Sequence, residues 1–126
     1  ALNYEQNSFG GPVEDEKFIE PPLKISGDAD RYNPSEGADD YIQPGNLFRL
    51  MNASQREQLF SNYADAMQGV PERILARQLV HFYKADPEYG RGVAKKLGLK
   101  MDKFSGWVKL SLKELFDKTS EESYGR

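Results

Sequence analysis

The placement of the prolines constrains this chain more than any other feature. Five of the seven, Pro12, Pro21, Pro22, Pro34 and Pro44, fall within the first 44 of 126 residues. Each fixes φ and removes a backbone donor, so this stretch cannot sustain a long helix or a central strand. The charge divides at the same place. Residues 1–44 hold 10 acids and 3 bases, net −7, while residues 45–126 hold 10 acids and 14 bases, net +4; together they give the chain's −3. A structureless connection of 44 residues is too long for the inside of a compact domain. Its apolar side chains, Tyr4, Phe9, Phe18, Ile19, Leu23, Ile25, Tyr32 and Tyr41, are too many for a solvated linker. Residues 1–44 are therefore expected to form an extended, largely irregular arm built to lie on a surface.

The remainder reads as helix. Pro44-Gly45-Asn46 is expected to stop the arm, with Asn46 capping a short helical stretch over Leu47–Met51. Asn52 and Gln55 have the spacing of a capping box, and behind them Leu59, Phe60, Tyr63, Ala64 and Met67 recur at helical spacing. Gly69 then closes that helix. Pro71 and Glu72 open the next, whose stripe is Ile74, Leu75, Leu79, Phe82 and Tyr83. Asp86-Pro87-Glu88 is a further start signal, followed by Val93, Ala94 and Leu97 and closed by Gly98. No period-two alternation argues for a sheet. From Lys100 onward, Met101, Phe104, Trp107, Val108, Leu112, Leu115 and Phe116 suit an amphipathic helix interrupted near Gly106. Its lysines are dispersed, which favours a terminal helix packed on the bundle over a membrane or nucleic-acid surface. The expected class is all-α: a small bundle of three to four helices behind the arm. Residues 45–99 would form the helical domain and residues 100–126 an amphipathic tail helix.

Composition excludes several chemistries. Without cysteine there is no disulfide scaffold, thiolate metal site or thiol nucleophile. A single histidine, His81, rules out a multi-histidine metal cluster. Lying mid-helix beside Phe82, it reads as a packing or surface residue rather than a haem or metal ligand. Asp39-Asp40 and Glu14-Asp15-Glu16 are adjacent acids that point to opposite sides of an extended chain, so they read as solvated turns rather than acid–base pairs. Gly10-Gly11 and Gly90–Gly92 lack the strand and the Lys-Ser/Thr of a phosphate loop. Residues 1–10 show no leader-like pattern, and no apolar run approaches the length of a membrane span. A cytoplasmic protein with neither membrane nor nucleic-acid partner is expected.

Five pieces, in order, resemble one family. Asn3-Tyr4-Glu5-Gln6-Asn7-Ser8-Phe9-Gly10-Gly11-Pro12 is similar to the NYxPNSFGGP stretch that follows the haem-bearing barrel of monofunctional haem catalases, with Gln6 where that family carries proline. Gly27, Arg31 and Tyr32 fit its G…RY element, and Asp39-Asp40-Tyr41-Ile42-Gln43-Pro44-Gly45 resembles its DD-(F/Y)-x-Q segment. Leu47–Met51 stands where the family has an aromatic-bearing helix. His81-Phe82-Tyr83-Lys84-Ala85-Asp86-Pro87-Glu88-Tyr89-Gly90 resembles its DPEYG turn into a last helix. The likeness covers about Leu2 to Leu99.

The resemblance implies that residues 1–44 end a wrapping connection and that residues 45–99 pack on a catalase barrel. The chain would then be the detached rear portion of a longer polypeptide. Its partners would be that barrel and neighbouring subunits of a homo-oligomer. The parent would disproportionate hydrogen peroxide to water and dioxygen at haem, as part of oxidative stress defence. The family needs a distal His and Asn and a proximal Tyr in an RxxxY arrangement, yet none of the seven tyrosines here follows an arginine by four. No catalytic, cofactor-binding or metal-binding residue is therefore assigned to this chain. Some relatives bind NADPH through a Gln and an aromatic four residues later. Gln43 matches the first position, but the second is Leu47, which cannot stack, and Phe48 points elsewhere on a helix. Gln43 is instead expected to make a hydrogen bond at a helix start, which leaves NADPH open for the parent.

Overall fold

The computed structural model describes residues 7–13, 15, 17–19, 21, 22, 24, 26, 27 and 36–124. Two compact units divide the chain, Ala1–Ala38 and Asp39–Arg126. In the first, the described residues form turns and irregular chain. Asn7 Oδ1 accepts from the Phe9 N–H at 2.9 Å, and Asp15 Oδ1 from the Lys17 N–H at 3.0 Å. Both are side-chain turns typical of Asn and Asp. Phe9, Val13, Phe18 and Ile19 are exposed. Tyr4, Leu23, Ile25 and Tyr32, the other apolar residues expected to anchor the arm, lie outside the described residues.

The described residues of the second unit form α1 (Ile42–Leu50), α2 (Ala53–Ala66), α3 (Glu72–Ala85), α4 (Pro87–Lys96), a 3-10 helix (Met101–Lys109) and α5 (Leu112–Lys118), joined by turns. No strand occurs among the described residues. The all-α class is as expected, whereas five α-helices and a 3-10 helix among the described residues replace the expected three to four. Part of the excess comes from the segment after Lys100. Met101, Phe104 and Trp107 recur at intervals of three, the period of a 3-10 helix, so they line one edge only in that winding. Leu110 is extended at φ −72°, ψ 145°, and Ser111 restarts the chain with a capping box to Glu114. The break therefore falls at Leu110-Ser111, not near Gly106.

A second correction concerns α1. It begins at Ile42 and runs through Pro44 and Gly45, which were expected to stop the arm. Asp39 is the reason: its Oδ1 accepts from the Tyr41 and Ile42 N–H groups, both at 2.9 Å. Pro44 is the third helical residue, where a missing N–H removes no intrahelical bond. Asn46 does not cap; its Oδ1 accepts from Arg49 at 2.8 Å.

Helix α3 is the hub, packing on α1, α4 and the 3-10 helix, while α2 packs chiefly on α4. Its Leu79 and Val80 lie in the core with Phe48, Phe60, Tyr89, Val93, Phe104 and Leu115. The close approach of α2 to α4 requires a glycine: any Cβ at Gly92 would collide with the Phe60 ring. A tertiary network fastens the C-terminal segment. The Tyr124 hydroxyl donates to Glu72 Oε1 at 2.8 Å, and Lys103 Nζ meets the same oxygen at 2.6 Å.

Candidate functional site: the outward face of α1 and its seat on α3

Helix α1 is held at both ends and along one side. Phe48, 1% exposed, enters the core and stacks on Tyr89 with ring centroids 5.1 Å apart. Arg49 pairs with Asp86 at 3.0 Å, just before α4. Arg56 caps the far end, donating to the Met51 and Arg49 carbonyls at 3.1 Å and to Glu88 at 2.8 Å. A guanidinium there offsets the unpaired carbonyls of a helix C-terminus. Gly45 rests against the Ala85 carbonyl so closely that a Cβ has no room. At the start of α1, the Tyr41 hydroxyl and His81 Nδ1 are 2.9 Å apart, with the rings nearly parallel at 12°. The Lys84 ammonium lies 5.6 Å from the centre of the Tyr41 ring and donates to the Leu110 carbonyl at 3.0 Å.

Burial shifts both members of the Tyr41–His81 pair. Desolvation, then the charges of Asp40 and Asp39, raise the Tyr41 hydroxyl above its ordinary range. Desolvation, followed by the cations Lys84 and Arg77, lowers the His81 imidazole below 6.5. His81 is therefore a neutral, half-buried tertiary contact at neutral pH.

The other side of α1 is uncovered. Ile42 is 59% exposed, Leu47 58% and Leu50 84%. Gln43 and Leu47 stand one turn apart on this outward side, and the Gln43 side chain makes no hydrogen bond among the described residues. The helix-start bond expected of Gln43 is made by Asp39 instead. Beside Ile42 opens a cleft of about 460 Å³, lined by Asp39, Tyr41, Tyr83, Lys84, Pro87 and Val108. Its acid and its lysine are already engaged, so it offers mainly apolar contact. Asp39 and Asp40 are exposed, and Asp39 serves the backbone; Glu14 and Glu16 lie outside the described residues.

The family description "Catalase-related immune-responsive" matches residues 34–97, 64 of the 126. The chain belongs to the catalase-related immune-responsive family. Among curated relatives, this catalase-related chain is 48% identical to "Catalase A" of Pseudomonas putida over 102 residues, covering 80% of the chain and 21% of the relative. It is 47% identical to a "Catalase" of Onchocerca volvulus endobacterium over 103 residues, 81% and 21% of the two. A "Catalase" of Aliivibrio fischeri (strain ATCC 700601 / ES114) gives 44% over 105 residues, 83% and 22%. The chain thus spans about a fifth of the length of the curated relatives it matches.

Catalases imply haem, for which the resemblance calls for a proximal tyrosine preceded four residues earlier by an arginine, an arrangement that none of the seven tyrosines in this sequence has. His81 is half-buried with Nδ1 committed to Tyr41, and no group of three or more His, Cys, Asp or Glu among them could hold a metal ion. NADPH fits no better at Gln43 and Leu47. The outward face offers no ring at either position, and the Phe48 ring is sealed in the core. No helix among the described residues is long and apolar enough to cross a membrane.

Proposed function

We propose that this chain is the C-terminal structural domain of a haem catalase and stabilises that enzyme's assembled form. The intact enzyme disproportionates hydrogen peroxide to water and dioxygen, and the haem-binding and catalytic residues belong to the rest of its polypeptide. The observation that carries the reading is the 48% identity to a catalase over four-fifths of the chain. The uncovered face of α1 supports it, because Ile42, Leu47 and Leu50 gain by burial against a larger body. Zero cysteines suit a reducing compartment, and we place the parent in the cytoplasm. NADPH, if the parent uses it, would be held mainly by residues outside this chain.

The test has two arms. The isolated chain, incubated with hemin, should show no Soret band and release no oxygen from peroxide. A parent catalase lacking this segment should lose oligomer and inactivate at lower temperature than the intact form. Haem-dependent turnover by the isolated chain would overturn the reading.

A second reading is a free-standing helical interaction module derived from a catalase C-terminus. The self-contained core of Asp39–Arg126 favours it, since Phe48, Leu79, Phe104 and Leu115 are buried without any partner. Reading the gene upstream of Leu2 separates the two: a barrel with an RxxxY tyrosine there selects the first.

A further inference from the structure

We propose that residues 101–124 form a strap that opens from α3 as one unit, with the Glu72 carboxylate as its clasp. This does not rest on the catalase reading, because it concerns only groups within the helical unit. The path of the segment is specific. Lys103 meets Glu72 at the start of α3, and at the other end of α3 the Leu110 carbonyl accepts from Lys84 Nζ at 3.0 Å. Past the break at Leu110-Ser111 the chain turns back. The Phe116 ring centre lies 4.6 Å from the Arg77 guanidinium, and the Thr119 carbonyl accepts from Arg73 at 3.5 Å. Tyr124 then returns to Glu72. The segment is thus a hairpin of two legs, the 3-10 helix and α5, laid along α3 and back. One oxygen, Glu72 Oε1, ties both its ends, accepting from Lys103 Nζ at 2.6 Å and from the Tyr124 hydroxyl at 2.8 Å.

The legs hold each other as well as α3. The Trp107 ring meets Tyr124 edge-on with centroids 6.3 Å apart, and the Lys118 ammonium lies 5.4 Å from the Trp107 ring centre. Ring contacts within the helical unit fall into two groups. Phe48, Phe60, Tyr63, Phe82 and Tyr89 join α1, α2, α3 and α4 to one another. Phe104, Trp107 and Tyr124 join the strap to itself. The first group keeps the four helices together when the strap is away, whereas Met101, Phe104 and Leu115, all buried, lose their cover together. Both legs also lie beyond the residues matched to the family, which end at 97. Lifting one leg alone would break its contacts with the other and half of the clasp, so the two open in a single step.

Native-state hydrogen exchange on the full chain tests this. The amides of Leu110 and Thr119, at the ends of the two legs, bond to the Trp107 and Leu115 carbonyls. In the wild type the two should be equally protected, and less so than Val93 in α4. Asn52→Ala weakens the cap of α2, away from the strap, and should lower Val93 protection about fivefold while leaving Leu110 and Thr119 unchanged. Glu72→Ala should lower both strap amides about threefold or more. Tyr124→Phe touches only the second leg and keeps the Glu72 charge, yet should lower Leu110 by the same factor as Thr119. Four results would each overturn the proposal: strap amides as protected as Val93 in the wild type, strap amides falling with Val93 in Asn52→Ala, Thr119 falling without Leu110 in Tyr124→Phe, or both unchanged in Glu72→Ala.

Discussion

A methyl group at position 45 would run into the Ala85 carbonyl, and that one contact explains why two helix breakers sit inside a helix. In the sequence, Pro44-Gly45 looks like punctuation. In the fold, Pro44 occupies a first-turn position that lacks an intrahelical partner anyway, and Gly45 lets α1 lie directly on the end of α3. Gly45→Ala should therefore destabilise the chain by about 1–3 kcal/mol despite its higher helix propensity, because the backbone it meets cannot move aside cheaply. Urea denaturation checks this, and an unchanged midpoint would contradict the close contact. His81 illustrates the same limit of legibility. Its position mid-helix was visible, but its partner Tyr41, 40 residues away, was not.

Helix starts were the most legible elements where the signal is local. Asn52 and Gln55 form the reciprocal capping box expected of them, each bond 2.9 Å. Asp86 caps α4 through the Glu88 N–H at 2.9 Å, with Pro87 at the first helical position. Ser111-Leu112-Lys113-Glu114 carries the same box and begins α5, a local start embedded in the continuous apolar spacing of the tail. The signal was present: Ser followed three residues later by Glu. Intervals of three at Met101, Phe104 and Trp107 equally marked the 3-10 winding. Asn52→Ala should cost about 1 kcal/mol, and Asn52→Ser should recover most of it, since serine also accepts from the third amide. Thermal melts of the two variants measure this; equal losses would mean that the cap bond is not what stabilises α2.

At the scale of the molecule, the chain divides into Ala1–Ala38 and Asp39–Arg126, and the helical unit has a core of its own. Buried side chains from α1, α2, α3, α4, the 3-10 helix and α5 all contribute to one cluster. A chain cut to residues 39–126 should accordingly keep its helical circular dichroism and a cooperative melt. Loss of cooperativity would show that the unit needs support from the first 38 residues or from a partner. On the outer side of α1, the aliphatic residues Ile42, Leu47 and Leu50 stay exposed.

By itself, the sequence determined the class, the starts of α2, α3 and α4 and the family, because caps, apolar periods and motif order are written in neighbouring residues. Only the tertiary structure decided where α1 begins, that Phe48 faces inward while Ile42, Leu47 and Leu50 face out, and that Tyr41 meets His81. Those outcomes depend on which helix lies against which, and the energies that choose come from contacts between residues tens of positions apart.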